Sequence, residues 1–477
     1  MCSLSLFPPP LAAGRLLIER NNELIAGDLD RQCDLPCPQF SRDMLKGPAR
    51  AESKSAFLEQ THTLWRRSAG AWRDAGLLGL LDEITDSAEE VPRCVAVVSR
   101  CLLALMRWAS SFHSSLFPHL TLSSDQMVAE FSQMMDWSES AVRSFSWHPH
   151  TEKFAVALMD DSIRIYRASS STAPSLKHRC QRSVSALQWK PLCGSALAVA
   201  CEKHLIVWSV DPCSLSSRPS SGCAQLLSLP GHSPITSLAW SPSGSLLVSA
   251  SPVDTAMMLH DDDDDDDDDD VTKRNNGWLV RLQVWDVAAE TCVPLRRVGG
   301  GGVTLLSWAP DGERLLAASP SALFRVWETR MWTCERWPCL KGSCQAACWS
   351  SDGSCLLFSI QGESLLYNLT FSDLTGGPKS ASVVADLSET SFPGPEGDLT
   401  VGGEVFSLSW DPRGERLAVL LRGDPLSADH PSAIAVFKTR CSPVFELLPC
   451  AGQTEDSPMC RSSSAAPGLL TPRDPWV

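Results

Sequence analysis

Tyrosine is nearly missing from this chain, two residues among 477, while tryptophan appears seventeen times. Also missing is an apolar run of bilayer length. The longest, 94–109, is interrupted by Arg100 and Arg107, whereas a spanning helix needs about 20 predominantly apolar residues. Membrane association is therefore expected only through a partner. A basic stripe is missing as well. The formal charge is −15, and with the ten aspartates at 261–270 set aside the remainder is −5, so direct binding of nucleic acid through its phosphates is not expected. The opening "MCSLSLFPPPLAAG" has no basic segment and meets prolines at 8–10, which does not read as a secretory signal.

Signatures of catalysis are missing too. No Gly-x-Ser-x-Gly elbow, Walker loop, His-Glu-x-x-His or Gly-x-Gly-x-x-Gly leading into a helix occurs. The chain is read as no enzyme, with no cofactor. Four glycines at 299–302 precede a strand pattern, not a helix, so a flexible loop between repeats is favoured over a phosphate cradle. The nineteen cysteines are scattered instead of packed at short regular spacings, which favours free thiols in a reducing compartment. Cys33-x3-Cys37 and Cys344-x3-Cys348 each look like half a zinc site, but neither has a second pair. No metal is expected. The unbroken aspartate run lacks the turn residues that space calcium ligands and repels itself; a disordered acidic loop is the favoured reading.

What is present is a repeat, and it takes precedence over single motifs. The phrases "FSWHPH", "LQWKPL", "LAWSPSG", "LSWAPDG", "ACWSSDG" and "LSWDPRG" place Trp147, Trp189, Trp240, Trp308, Trp349 and Trp410 at the ends of six strand-like segments. Alternation such as Ile235, Ser237, Ala239 against Thr236, Leu238, Trp240 has the period of two of a strand. Pro242-Ser243-Gly244 and Pro310-Asp311-Gly312 then supply turns, and second strands follow, as in "LLVSAS" and "RLLAAS". About a dozen residues later come third strands with a terminal aromatic at Tyr166, Trp208, Trp285, Trp327, Tyr367 and Phe437. Three strands plus a weaker outer fourth make one propeller blade. The intervals between the inner tryptophans are 42, 51, 68, 41 and 61 residues, against roughly 40–45 for a WD-type blade. The excess in the third interval is the acidic segment.

That third repeat carries Gly231-His232, Ser249, Asp254 and Trp285-Asp286. It resembles the WD-repeat family, in which His, Ser or Thr, Asp and Trp form a buried hydrogen-bonded chain. The resemblance implies a structural tetrad of His232, Ser249, Asp254 and Trp285, in preference to His232 acting as a catalytic base. Removing 257–281 restores the family's spacing of Asp to Trp. The fold is therefore expected to be an all-β propeller of WD-repeat type with six recognisable blades, a seventh being absent or incomplete, and with an N-terminal helical extension.

The expected domains are an N-terminal segment 1–50, a helical region 51–137, a propeller 138–450 interrupted by a disordered insert 257–281, and a disordered tail 451–477. "GRLLIERNNELIAG" predicts a β-hairpin over 15–26 that docks on the propeller. Phe57, Leu64, Trp65 and Trp72, then Val95, Val98, Leu102, Leu105 and Ala109, have helical spacing. Ser123-Ser124-Asp125-Gln126 has capping-box spacing ahead of a third helix. The helical block either binds a partner or packs against the rim.

The strings "NNELIAG", "RWASSFHSSLFPHL", "WHPHTEKFAVALMDDSIRIY", "FRVWETRMWTCERWP" and "SPVFELLPC" resemble the aladin family of WD-repeat nucleoporins, from residue 1 to about 450. The family lacks the aspartate run and continues further after "PVFELLP". The resemblance implies a non-enzymatic scaffold of the nuclear pore complex, anchored at the nuclear envelope through a transmembrane nucleoporin, and present also in cytoplasm and at spindle poles. The implied roles are nucleocytoplasmic transport of protein and mRNA, and mitotic spindle assembly. Trp327-Glu328-Thr329-Arg330 approximates the Trp-Asp-x-Arg box of receptors for cullin-type ubiquitin ligases, which is the second reading.

Overall fold

The structure, a computed structural model, describes residues 2–11, 15–20, 23–28, 99–102, 118–132, 142–151, 153–167, 173–210, 219–229, 231–257, 278–298, 301–339, 341–371, 381–393, 398–423, 431–440 and 445–454. The chain divides into two compact units, Met1–Gly47 with Ser123–Val477, and Pro48–Leu122. In the second, one helical turn at 99–102 and a 3-10 turn at Pro118–Thr121 are described. The helices expected around 57–72 and the rest of 95–109 lie outside the described residues.

The first unit is a β-propeller. Six antiparallel sheets follow one another along the chain as blade 1 (142–176), blade 2 (186–227), blade 3 (237–298), blade 4 (305–338), blade 5 (344–386) and blade 6 (405–454). In each blade the Trp-terminated segment is the inner strand, and its Trp pairs with the same place in the second strand. The six pairs are Trp147 with Phe154, Trp189 with Leu197, Trp240 with Leu247, Trp308 with Leu315, Trp349 with Leu356 and Trp410 with Leu417. This common register makes positions comparable from blade to blade.

The core lies between blades. Leu238, Trp240 and Leu247 pack toward Ala198, Leu205 and Val207 of blade 2, while Ala239, Val248 and Ala250 pack toward Leu306, Leu315 and Ala317 of blade 4. In blades 1 to 5 the second strand is buried on both faces. That is why segments such as "LLVSA" and "RLLAA" read as nearly continuous apolar runs, while the inner strands keep polar residues in alternation. The same sandwiching joins blades 1 and 2, 4 and 5, and 5 and 6. On the far side of blade 1, Val128 of helix α1 (Ser124–Phe131) covers Val142, Phe154, Val156 and Leu158. The helix begins with a reciprocal cap: Gln126 N–H donates to Ser123 Oγ at 3.3 Å, and Ser123 N–H donates to Gln126 Oε1 at 2.9 Å.

Several expectations change at the edges. Strands Arg15–Arg20 and Glu23–Asp28 form a hairpin, and the segment upstream of it lies on the propeller. Cys2–Ser3 adds a parallel strand to the outer edge of blade 5, pairing with Ala385 and Asp386. Leu4 and Phe7 are buried with Leu417 and Phe437 of blade 6, the two Phe rings edge-on at 4.9 Å. Leu11 N–H donates to Gly452 O. Residues 2–11 thus strap two outer strands together and shield edge groups that would otherwise be open to pairing.

The insert is shorter than 257–281. Thr255–Met257 and the start of Trp278–Asp286 are paired strands, Thr255 with Val280 and Met257 with Trp278, so 258–277 alone lies outside the described residues. Blade 6 runs to Thr454, past the expected boundary at 450, and the segment expected as a tail lies from 455 outside the described residues. The long interval between blades 5 and 6 holds a separate hairpin, Thr390–Pro393 with Asp398–Val401.

Candidate functional site

The four side chains singled out in blade 3 meet. Gly231 at φ 81° turns the chain so that His232, in the link before the inner strand, faces Asp254 in the hairpin after the second strand. His232 Nδ1 lies 2.6 Å from Asp254 Oδ2, and His232 Nε2 lies 2.7 Å from Ser249 Oγ. Trp285 Nε1–H donates to the same Oγ at 2.8 Å. The relative exposures are 2%, 0%, 5% and 3% for His232, Ser249, Asp254 and Trp285, so nothing outside the blade completes the network. An indole N–H only donates; Ser249 O–H therefore points at His232 Nε2, and the Nδ1–H tautomer serves Asp254. The chain of bonds runs Trp to Ser to His to Asp across two strands and two loops.

Ser249, His232 and Asp254 are connected as a serine nucleophile, base and orienting acid would be. The arrangement cannot present that chemistry. Ser249 Oγ is fully buried and occupied by the indole, leaving no approach for a carbonyl carbon and no donors around a developing oxyanion. The network acts as a cross-brace.

Comparable positions in other blades carry substitutes that sequence inspection passed over. Gln181 and Lys341 stand eight residues before Trp189 and Trp349, as His232 stands before Trp240. In blade 2, Trp208 Nε1–H donates to Gln181 Oε1 at 3.2 Å, and Gln181 Nε2–H donates to Asp161 O and to Leu176 O. The serine position is Val199, so the amide takes the indole directly. We expect Gln181→Leu to destabilise the propeller by about 2 kcal/mol, because a fully buried indole N–H is left without an acceptor. Denaturant unfolding measures this, and a loss under about 0.5 kcal/mol, the range of neutral surface changes, would contradict it.

In blade 5, Lys341 Nζ meets Glu363 Oε1 at 3.1 Å, and Tyr367 O–H donates to Glu363 Oε2 at 2.7 Å. Glu363 occupies the Asp254 position. The Tyr367 hydroxyl holds its carboxyl below the usual range, with Lys341 adding to the effect; burial first, then Glu363, pushes Tyr367 up to about 12. Tyr367 does not fill the third-strand aromatic position predicted for it. Leu369 pairs with Leu356 there, and Tyr367 lies two residues earlier.

The inner tryptophans have a second, recurring role. Trp189, Trp240, Trp308 and Trp349 each donate Nε1–H to the carbonyl just before the Trp of the preceding blade, namely Ser146, Gln188, Ala239 and Ser307, at 3.1–3.3 Å. Each bond staples one blade to the last and contributes on the order of 1 kcal/mol. Trp410 departs from the series and donates to Thr439 Oγ1 in its own blade. Trp147, first in the series, has a buried Nε1 with no hydrogen-bond partner among the described residues.

The turns after the inner strands also touch in sequence. A Cβ on Gly244 would lie 2.8 Å from Pro191 O, on Gly353 2.3 Å from Asp311 Oδ2, and on Gly414 2.5 Å from Ser351 Oγ. The glycine run at 299–302 is no loose loop where it is described. Gly302 is buried at φ 91°, and its Cβ would stand 2.1 Å from Pro252 O of blade 3.

Among the described residues all cysteines are free and no cluster of three potential metal ligands occurs. Cys344 and Cys348 are core thiols pushed well up by burial; Cys33 and Cys37 lie outside the described residues, as does the aspartate run. Trp327 is buried, Glu328 accepts a bond from Thr333 Oγ1, and Arg330 is exposed in the turn beyond. No helix among the described residues is long and apolar enough to cross a membrane.

Comparison with known proteins agrees with this architecture. The model of the aladin seven-bladed propeller matches residues 123–268 and 279–462, with an internal gap at 269–278 in the insert. A curated relative, aladin of Arabidopsis thaliana, is 29% identical over 329 residues, which is 64% of this chain and 66% of the relative. The match thus spans just under two thirds of that relative's length. A chain in the crystal structure of the mitotic checkpoint complex aligns over 72% of this chain and 84% of its own, at 16% identity and a TM-score of 0.46. The family match covers more than half of the sequence and follows its blades, and the chain therefore belongs to the aladin seven-bladed propeller family.

Proposed function

We propose that the protein is an aladin-type nucleoporin: a non-enzymatic scaffold of the nuclear pore complex, held at the nuclear envelope by a transmembrane nucleoporin. Membership of the aladin propeller family carries this reading. Supporting it, the constellation among the described residues that resembles a catalytic triad is consumed inside blade 3. What the disc offers instead is two faces and a rim, surfaces on which several proteins dock at once. Its work on this reading is nucleocytoplasmic transport of protein and mRNA, with a further role at spindle poles during mitosis. Contact with membrane and nucleic acid passes through partners. Imaging of the tagged full chain tests the compartment: a rim around the nucleus is the expected result. Affinity capture tests the partners, and recovery of ubiquitin-ligase adaptors without pore-membrane proteins would overturn the scaffold reading.

A further inference from the structure

Antiparallel connectivity puts the links that precede inner strands and the hairpins that follow second strands on one face of the disc. Among the described residues of that face, positive charge is sparse or paired in blades 3 to 6. Lys341 is matched by Glu363 in blade 5, and Arg422 by Glu404 at 3.3 Å in blade 6. The described links and hairpins of blades 3 and 4 carry no Lys or Arg. Blade 2 differs. Its link holds Lys177, His178, Arg179 and Arg182, and its hairpin holds Lys203 and His204.

These two segments are hydrogen-bonded to each other, with Glu202 N–H donating to Arg182 O at 3.0 Å. Lys177, Arg179, Arg182 and Lys203 are all exposed. Lys177 reaches Asp160 at 3.8 Å, and Asp161 is engaged by Arg143 at 3.0 Å. Asp125, bonded to Ser183 Oγ, and Glu202 are the other acids nearby. Arg179, Arg182 and Lys203 have no ion pair among the described residues. Blade 2 thus concentrates on this face three cations that are unpaired among the described residues, in a chain whose net charge is −15.

We propose that this cap of blade 2 is a docking surface for an acidic peptide segment of a partner protein, with the Arg179 and Arg182 guanidiniums taking carboxylates and Lys203 adding a third charge. Guanidinium groups bind carboxylates through paired N–H donors. A nucleic acid fits less well: the molecule as a whole repels a long polyanion, and the blade's tryptophans, Trp189 and Trp208, are buried, leaving no aromatic platform for bases.

The test is fluorescence anisotropy with a labelled deca-glutamate peptide on the folded full chain, using a background in which the aspartates at 261–270 are replaced by serine to remove a tethered competitor. Binding that weakens with salt is expected. The triple variant Arg179→Glu, Arg182→Glu, Lys203→Glu should weaken it tenfold or more. Reversing three charges on blade 6 (Arg413→Glu, Lys438→Glu, Arg440→Glu) should change it less than twofold. Equal loss in the two triple variants, no binding at all, or tighter binding of a single-stranded RNA of matched charge would each overturn the proposal.

Discussion

Replacing His232 by alanine should lower the unfolding free energy of the propeller by about 3 kcal/mol, in the range found when one member of a buried hydrogen-bonded charge network is removed. The imidazole bridges Asp254 at 2.6 Å and Ser249 at 2.7 Å, and both partners are walled in. Without it the Asp254 carboxyl faces an apolar gap, and the Ser249 hydroxyl keeps only its bond from Trp285. Most of the loss comes from the groups left behind. A double-mutant cycle therefore distinguishes this account: His232→Ala with Asp254→Ala should cost clearly less than the sum of the two single changes. Additive losses would mean that the two residues act independently. His232→Gln should be milder than His232→Ala, because Gln181 already takes an indole N–H at the matching place in blade 2.

Gly302→Ala should be nearly as damaging, about 3 kcal/mol. Two costs coincide there: a φ of 91° that side chains rarely adopt, and a Cβ that would stand 2.1 Å from the backbone oxygen of Pro252. The first costs roughly 1–2 kcal/mol; the second cannot relax by turning a side chain, so the two blades must separate locally. Val303 N–H donates to Ser251 O across the same seam at 3.0 Å, and its exchange with solvent should quicken in the variant. Gly231→Ala is the matched control. It has a similar φ of 81° with nothing within 4 Å of the new Cβ, so it should show the conformational cost alone. Equal destabilisation by the two substitutions would show that the contact with Pro252 is unimportant.

Repeat, turn and tetrad were legible because they rest on local rules. Period-two strands, Pro-x-Gly turns and one complete set of His, Ser, Asp and Trp are visible at fixed spacings. The hairpin in blade 3 tolerates its insertion because closing a longer loop costs little, about 0.6 kcal/mol for each doubling in length. Asp254 and Trp285 are held by ladders on either side of it. The substitutes Gln181 and Lys341 were less visible, since amide or ammonium in place of imidazole leaves no motif. Only their distance from the inner Trp marks them, and that distance acquires meaning once the register of each blade is known. Tyr367 was misassigned for the same reason: a two-residue displacement along the ladder moves an aromatic from one position to another on the same face, without changing the pattern of hydrophobicity.

The sequence by itself determined the blade as a unit, its order along the chain, the acidic segment as an interruption, and the family. These follow from steric turn preferences and alternation within about 40 residues. The tertiary structure alone decided what each blade does to the next. The indole staples, the turn-to-turn contacts at Gly244, Gly353 and Gly414, the wedge at Gly302 and the strap of residues 2–11 across blades 5 and 6 join groups from different blades or from opposite ends of the chain. Contacts of that kind depend on how separate sheets stack around an axis, and no spacing within one repeat encodes them.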